Sequence, residues 1–230
     1  MGKFIRYLKK SSVVKYLREL SIVIIGVLIT LTITNLTSLN SKRKEVRDMV
    51  ELIKIELRDN LESIEEIEQR WITEQRIFSL VKTYIDDLEQ IPPDTLKNHI
   101  VVIGALHSVL NEKDSYEIFK SSLLTQYVKD KDFLRRLSRA YRRIEGLNTQ
   151  LIKYSDVKSE AFKEIYKNLS EEEIQQWTQG QVYDYFRIPL NYTSYRSFVY
   201  AGGSIISPNE FERSKKAVRA MLEEIEKRDF

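Results

Sequence analysis

The chain has 230 residues, of which 37 are basic and 34 acidic, giving a formal net charge of +3, and 42% of its residues are hydrophobic. With only 7 Gly and 4 Pro, this composition is typical of a helix-rich globular protein and argues against a disordered or strand-and-turn chain. The sequence contains no cysteine, which excludes structural disulfides, thiolate zinc sites and cysteine nucleophiles.

Positive charge is concentrated at the N-terminus. Residues 1–20 hold six basic side chains and a single acid, Glu19, whereas the rest of the chain holds 31 basic and 33 acidic residues. We therefore interpret residues 1–19 as a basic tail that differs in character from the nearly balanced remainder.

The next segment, residues 20–39, reads LSIVIIGVLITLTITNLTSL and contains no charged residue. Because a helix rises about 1.5 Å per residue, about 20 such residues cross the hydrocarbon layer of a bilayer. The apolar residues from Ile22 to Ile29 surround the helix instead of forming one stripe, and no small-residue cleavage site follows. The sequence therefore predicts one uncleaved transmembrane helix at residues 20–41; the alternative is the buried helix of a soluble domain.

Small residues recur every four positions on one face of this segment, at Gly26, Thr30, Thr34 and Ser38. In lipid, small side chains let helices approach closely, and hydroxyl or amide groups can hydrogen-bond between them. We therefore predict that the protein self-associates as a homo-oligomer through this face, with the help of Asn35. The alternative for Asn35 is a hydrated position near the membrane interface.

Basic residues flank the segment on both sides. Six precede it, and five follow it closely: Lys42, Arg43, Lys44, Arg47 and Lys54. The positive-inside rule therefore gives a small preference for a cytoplasmic N-terminus, which would place the soluble domain, residues 42–230, outside the cytoplasm.

Beyond the segment, one series of residues alternates steps of four and three: Val46, Val50, Ile53, Leu57, Asn60, Ile64, Ile67 and Trp71. This period of 3.5 predicts a helix with one buried face that includes Asn60. Two interpretations fit the pattern, a coiled-coil stalk between copies or, as we favour, a helix that packs on its own domain. The helix is expected to run to Glu89, because Pro92 and Pro93 then stop it.

Capping signals predict the later helices. Asp94 begins a segment with apolar residues up to Leu110, and three pairs have the capping-box spacing, namely Asp114 with Glu117, Ser170 with Glu173 and Ser207 with Glu210, the last followed by Pro208. A long amphipathic helix is marked by Leu134, Leu137, Tyr141, Ile144, Leu151, Tyr154, Val157, Ala161 and Ile165. The last helix is marked by Phe211, Val218, Met221, Leu222 and Ile225.

The predicted fold is therefore all-α, with a single N-terminal transmembrane helix, a long amphipathic helix and a helical bundle. Residues 181–206, QVYDYFRIPLNYTSYRSFVYAGGSII, are the exception, because Pro189 and the pair Gly202 and Gly203 interrupt a Tyr-rich run. We interpret this stretch as a connector that either buries its aromatic residues or exposes them to a partner. The residues that could meet a partner there include Tyr192, Tyr195 and Arg196.

A second candidate binding surface is the series of basic residues Lys131, Arg135, Arg139 and Arg142 on one face of the long helix. Such a face could meet lipid headgroups, nucleic acid or an acidic protein. The simpler alternative is a solvated face whose charges pair with neighbouring acids. A protein partner is expected before nucleic acid.

Catalytic signatures are missing from the sequence. The two histidines, His99 and His107, fit no metal-binding or nuclease arrangement, and the chain carries no phosphate-binding loop or nucleophile motif. We therefore expect no enzyme activity, no cofactor and no metal.

Two stretches resemble a family of uncharacterised bacterial single-pass membrane proteins, a domain-of-unknown-function group. They are YLRELSIVIIGVLITLTITN in the apolar segment and SYEIFKSSLL at residues 115–124, with departures at Leu36 and Leu123. The resemblance implies a location in the bacterial inner membrane and a helical soluble domain, and it implies no activity. It also draws attention to Tyr116 and Lys120, which lie four residues apart and suit a neighbouring helix or a small anion, unless they belong to a packed helix start.

Two functions remain as hypotheses. The first is a membrane-anchored interaction or sensing protein without catalytic activity. The alternative is an oligomerising effector that forms a pore or perturbs the bilayer when its soluble domain binds a signal.

Overall fold

The computed structural model describes residues 2–97, 111–207 and 209–228, and the side chains of these residues apart from 2–18, 33, 35 and 178. His99, His107, Pro208 and most of the predicted Asp94 helix lie outside the described residues. The described elements are all helical, which confirms the all-α prediction. The helices are α1 (Gly2–Thr83), α2 (Pro93–Lys97), α3 (Asp114–Ser121), α4 (Lys131–Asn168), α5 (Glu171–Gln179), α6 (Asp184–Leu190), α7 (Thr193–Ala201) and α8 (Glu210–Glu226), with 3-10 turns at Leu88–Gln90, Leu123–Tyr127 and Gly202–Ser204.

The first part of α1 is an exposed apolar helix. Its described large hydrophobic side chains from Leu20 to Leu39 are between 42% and 61% exposed. The most apolar 18-residue window contains no buried residue, and the helix is long and apolar enough to cross a membrane. This exposure differs from that of a soluble core helix, which is mostly buried.

The second part of α1 buries the face that the sequence predicts. Val46, Val50, Ile53, Leu57, Asn60, Ile64 and Ile67 are buried, and Trp71 packs against the core. The cover comes from the same chain: the Asn60 amide donates to the Glu112 carbonyl at 2.6 Å, and the Glu112 N–H donates back to Asn60 Oδ1 at 3.0 Å. The structure thus shows the packing that we favoured over an intermolecular coiled-coil stalk.

The long helix ends earlier than predicted, at Thr83 instead of Glu89. A 3-10 turn at Leu88–Gln90 follows, and it places Leu88 and Ile91 in the core. The helix therefore ends several residues before the prolines, and the turn that follows it buries two apolar residues.

Helix α8 lies antiparallel to both α1 and α4. Against α1, Arg219 lies 2.5 Å from Glu65 and Lys215 lies 2.5 Å from Glu68. Against α4, Arg136 pairs with Glu224, and the Ser214 hydroxyl donates to the Arg143 carbonyl at 3.2 Å. The five residues predicted to be buried in this last helix are all buried: Phe211, Val218, Met221, Leu222 and Ile225.

Helix α4 confirms the predicted long amphipathic helix, with one correction. Val157, which the sequence analysis assigns to the apolar face, is 40% exposed, whereas the side chain of the next residue, Lys158, is fully buried. Lys158 fits the buried register of Tyr154, Ala161 and Ile165, and it pairs there with Glu74 of α1. A charged residue thus occupies a core position that apolar patterning does not predict.

Only one of the three predicted capping boxes forms. Ser170 and Glu173 make both reciprocal hydrogen bonds at the start of α5. At α3 the N-cap residue is Lys113, and the Ser115 N–H donates to Glu56 of α1 at 2.7 Å. Ser207 does not cap α8; its N–H donates to Gln150 of α4 at 3.0 Å, and the helix begins at Glu210.

The Tyr-rich stretch at residues 181–206 is helical for much of its length, which the prediction of a connector missed, and its aromatic residues pack mainly against the core, which is the first of the two predicted alternatives. It forms α6 and α7, and Pro189 lies in the last turn of α6. Phe186, Tyr195, Phe198 and Val199 are buried. The aromatic residues therefore serve mainly as core residues.

Candidate partner-binding groove

The predicted basic face of α4 is divided in the structure. Arg139 lines a groove between α4 and α8. Arg135 is exposed and lies 3.1 Å from Asp132, while the Lys131 ammonium donates to the Thr125 carbonyl at 2.9 Å. Arg142 is exposed and lies outside the groove. Among the described residues, the predicted alternative, a face paired with neighbouring acids, thus applies to Arg135 but not to Arg139 or Arg142.

The groove has a volume of about 410 Å³ and an apolar floor made by Ala140, Ala217, Ala220 and Met221. Three of these four side chains end at Cβ, so α4 and α8 leave space between them at the surface. Ala140 and Met221 are buried beneath this space, whereas Ala220 is exposed to solvent. The floor can therefore be reached from outside.

Cations form the rim of the groove: Arg136, Arg139, Arg143, Arg213 and Lys216. Three carboxylates accompany them: Glu224 in the groove, Glu210, which lies 3.6 Å from Arg143 and 3.8 Å from Arg213, and Asp130, which lies 3.4 Å from Arg136. Five cations against three carboxylates leave a positive surplus around an apolar floor. Such a surface attracts anionic partners.

The carboxylate of Glu224 already accepts hydrogen bonds from two arginines. Arg136 donates to it through both Nε and Nη2, at 2.7 and 2.6 Å, and Arg228 donates to it at 2.5 Å. The hydrogen bonds from Arg136 hold the pKa of Glu224 below its usual value, so that it stays ionised. Because this carboxylate is saturated by two arginines, it does little to neutralise the rest of the rim.

Arg139 and Lys216 face each other across the groove from different helices. Both are exposed, and neither forms an ion pair within the described part of the chain. They are therefore free to meet a carboxylate of a partner. The sequence analysis identified Arg139 but missed Lys216 and Arg213, because the pairing of α4 with α8 depends on the tertiary fold.

Tyr116 and Lys120 do not form an accessible binding pair. Tyr116 is buried and stacks on Tyr141 with 4.1 Å between ring centroids, and the Tyr141 hydroxyl donates to Glu56. Lys120 is exposed and lies 3.3 Å from Glu117. The structure thus shows the packed helix start, the alternative of the sequence analysis, and corrects the assignment of Tyr116 as a partner contact.

Tyr192, Tyr195 and Arg196 do not form an exposed stacking surface either. Tyr195 is 1% exposed, with its ring 5.3 Å from that of Phe162. The Arg196 Nε donates to the Leu190 carbonyl at 3.0 Å, and Tyr192 packs against the core. This cluster therefore stabilises the fold around α6 and α7.

In the apolar segment, the threonine hydroxyls bond within their own helix. Thr30 donates to the Gly26 carbonyl at 2.9 Å, and Thr34 donates to the Thr30 carbonyl at 2.9 Å. Gly26 faces open space, Ser38 is exposed, and the side chain of Asn35 lies outside the described residues. The small-residue face is open, but its threonine donors are already satisfied.

A second polar cluster lies wholly inside the domain. The Glu74 carboxylate accepts hydrogen bonds from Lys158 and, at 2.8 Å, from the Tyr154 hydroxyl, which also accepts from Gln75 at 3.1 Å. Burial lowers the pKa of Lys158, and the nearby Glu74 opposes that effect. Since the side chains of both charged residues are 0% exposed, the pair is closed to a partner.

No group of three or more His, Cys, Asp or Glu residues that could hold a metal occurs among the residues described. The groove supplies an apolar floor and cationic donors, which suit binding through complementary charge and shape. No protein-family profile, characterised protein or solved structure matches this chain. The resemblance to the bacterial single-pass family therefore stays a prediction.

Proposed function

We propose that this protein is a non-catalytic membrane-anchored docking protein. In this proposal, residues 20–41 lie in the bilayer of a bacterial inner membrane, and residues 42–230 form a helical bundle outside the cytoplasm. The bundle binds an acidic protein segment in the groove between α4 and α8. The single observation that carries the proposal is that Arg139 and Lys216, which are exposed and have no ion pair among the described residues, lie above an alanine-lined floor.

The anchor is supported by the contrast in burial along α1. The described large apolar side chains from Leu20 to Leu39 are each at least 42% exposed, and they surround the helix. An apolar surface of this extent is unfavourable in water, whereas it suits the hydrocarbon of a bilayer. The length and lack of charge of the segment suit one crossing.

The class of partner follows from the chemistry of the groove. An apolar floor flanked by cations is complementary to an amphipathic helix that has apolar residues on one face and carboxylates beside them. Nucleic acid is the weaker candidate, because the aromatic residues that could stack on bases are largely buried in α6 and α7.

The test uses the full-length chain in neutral detergent and a fluorescein-labelled helical peptide with leucines on one face and glutamates beside them. Fluorescence anisotropy should show saturable binding that weakens as sodium chloride is added. Arg139→Glu combined with Lys216→Glu should weaken binding on the order of tenfold, or about 1.4 kcal/mol, because two attractive contacts become repulsive.

The matched control is Arg142→Glu combined with Lys153→Glu. These are also one exposed arginine and one exposed lysine without an ion pair in the described residues, but neither lines the groove. The control should bind nearly as well as wild type. An equal loss in the two double variants would assign the attraction to net charge, and a wild-type chain that does not bind the peptide would refute the groove proposal.

Self-association through Gly26, Thr30, Thr34 and Ser38 is a further part of the proposal. The open space around Gly26 supports close helix approach. The rival function, an oligomeric pore or bilayer-perturbing effector, receives less support. The hydroxyls of Thr30 and Thr34 already donate hydrogen bonds to backbone carbonyls of their own helix. Depolarisation of cells on expression, abolished by Asn35→Leu, would favour the rival over the docking protein.

A further inference from the structure

A cleft of about 630 Å³ lies at the end of the domain where α1 leaves towards the apolar segment. One wall is α1 from Asn40 to Arg47, and the other is the segment Tyr127–Asp130, with Arg228 beside it. Val46 and Val128 are buried next to the cleft, and Tyr127 is partly buried. The cleft thus combines an apolar base with a rim close to the first charged residues after the segment.

The rim is strongly basic. Its cations are Arg43, Lys44, Arg47, Lys129 and Arg228, and its single acidic residue is Asp130. Asp130 is occupied: its carboxylate accepts from Arg228 at 2.6 Å and from the N–H groups of Asp132 and Phe133. Arg43, Lys44 and Lys129 form no ion pair among the described residues, so their charge is available to a ligand.

The position of the cleft along α1 fixes its depth if residues 20–39 cross a bilayer. At about 1.5 Å per residue, Arg43 lies about 6 Å and Lys44 about 7.5 Å beyond Leu39, the last large apolar residue of the uncharged segment. The polar headgroup layer adds roughly 5 to 8 Å on each side of the hydrocarbon. Arg43 and Lys44 therefore lie at the depth of lipid phosphates, and a tyrosine such as Tyr127 suits the same interface.

We propose that this cleft binds the phosphate headgroup of an anionic phospholipid. The inference rests on the proposed membrane anchor, but not on the groove between α4 and α8. Arg43, Lys44 and Lys129 supply the charge that the lipid phosphate requires, and Val46, Val128 and Tyr127 supply an apolar wall for its glycerol end. A bound lipid in this place would fix the tilt of the domain against the membrane surface.

The test compares two double variants of the full-length chain in neutral detergent micelles. Lys44→Gln with Lys129→Gln removes two cations that line the cleft, whereas Lys42→Gln with Lys131→Gln removes the neighbouring lysines, which do not line it. Native mass spectrometry measures the ratio of lipid-bound to lipid-free chain with added phosphatidylglycerol or phosphatidylcholine. Wild type should prefer phosphatidylglycerol, and the first double variant should lose at least about fivefold in that preference, while the second keeps it.

Other outcomes would overturn the inference. Equal losses in the two double variants would mean diffuse attraction to the basic surface, and an unchanged preference in both would mean that the cleft binds no headgroup. Displacement of phosphatidylglycerol by an equal concentration of inorganic phosphate would assign the site to a soluble anion. Failure of the anchor is recognised separately, because the chain would then remain monodisperse without detergent.

Discussion

The two parts of α1 have the same secondary structure and opposite surroundings. From Leu20 to Leu39 the described large apolar residues are exposed on every side, whereas from Val46 to Val81 one face is buried and the rest is mostly polar, with Leu52, Ile55 and Ile72 as exposed exceptions. The first part contains no charged residue, and the second places Asn60 and Glu74 on its buried face, each with a partner from elsewhere in the chain.

The difference shows that helix formation alone says nothing about the medium around a helix. What distinguishes the two parts is the angular distribution of apolar residues, which surrounds the helix in the first part and is concentrated in one stripe in the second, apart from Leu52, Ile55 and Ile72. It also shows where polar groups can lie: a buried amide or carboxylate is stable in the domain because Glu112, Lys158 and Tyr154 are positioned to meet it.

The largest expected effect concerns Glu74, the buried carboxylate of the second part of α1, and its partner Lys158 of α4. Lys158→Met removes the cation next to Glu74 and leaves a buried carboxylate with too few donors. We expect it to lower the free energy of unfolding of the domain by about 3 to 5 kcal/mol, as measured by chemical denaturation followed by circular dichroism.

Two variants control this prediction. Val157→Met changes the neighbouring, 40% exposed position and should alter the free energy of unfolding by less than about 0.5 kcal/mol. Glu74→Gln added to Lys158→Met removes both charges and should restore most of the loss. A Lys158→Met variant with wild-type stability would show that the pair contributes nothing to the fold.

A smaller effect tests the comparison directly by making the same truncation in each part of α1. Ile64 is 0% exposed and Ile25 is 55% exposed. Ile64→Ala should lower the free energy of unfolding of the domain by about 2 to 5 kcal/mol through lost burial and a cavity, whereas Ile25→Ala should change it by less than about 0.5 kcal/mol.

Denaturation of the full-length variants in the same detergent gives both values. If Ile25→Ala destabilised the domain as much as Ile64→Ala, the apolar segment would be part of the folded core, and the division of α1 into two environments would be wrong.

Local patterns predicted the parts of this structure that depend on one helix face. The alternating spacing from Val46 to Trp71 located the buried face of α1, and Ser170 with Glu173 located the start of α5. Local patterns gave wrong helix caps where a residue from a distant element forms the hydrogen bond at the start of the helix. Glu56 replaces the predicted cap of α3, and Gln150 takes up the backbone N–H of Ser207.

Only one side of the groove could be predicted from the sequence, for the same reason. Arg139 belongs to a basic series that the sequence displays on one helix, but Lys216 and the alanine floor come from the packing of α8 against α4. The prediction for Lys158 was wrong in another way. Apolar periodicity does not assign a lysine to the core, and only the position of Glu74, its carboxylate partner, explains why Lys158 is buried. Both misses concern contacts between residues far apart in sequence.

The smallest expected effect lies at the junction of the two parts of α1, where Asp130 joins the start of α4 to Arg228. Hydrogen bonds from Arg228 and from the Phe133 N–H lower the pKa of Asp130 from 3.8 to about 2. Because the folded-state pKa lies below the ordinary value, the stabilisation is fully present above that value and disappears as the pH falls towards 2.

Asp130→Asn should therefore lower the melting temperature at pH 7, and the difference from wild type should shrink as the pH falls from about 5 to 2, where the wild-type carboxyl becomes protonated. The measurement is a series of thermal melts of the full-length chain in neutral detergent across this range. Asp156→Asn, an exposed aspartate without an ion pair in the described residues, serves as the control and should cause little change at any pH. A deficit for Asp130→Asn that stayed constant down to pH 2 would mean that the side chain acts through its shape and not through its charge. The junction would then be held by packing around the buried Phe133 and Val128.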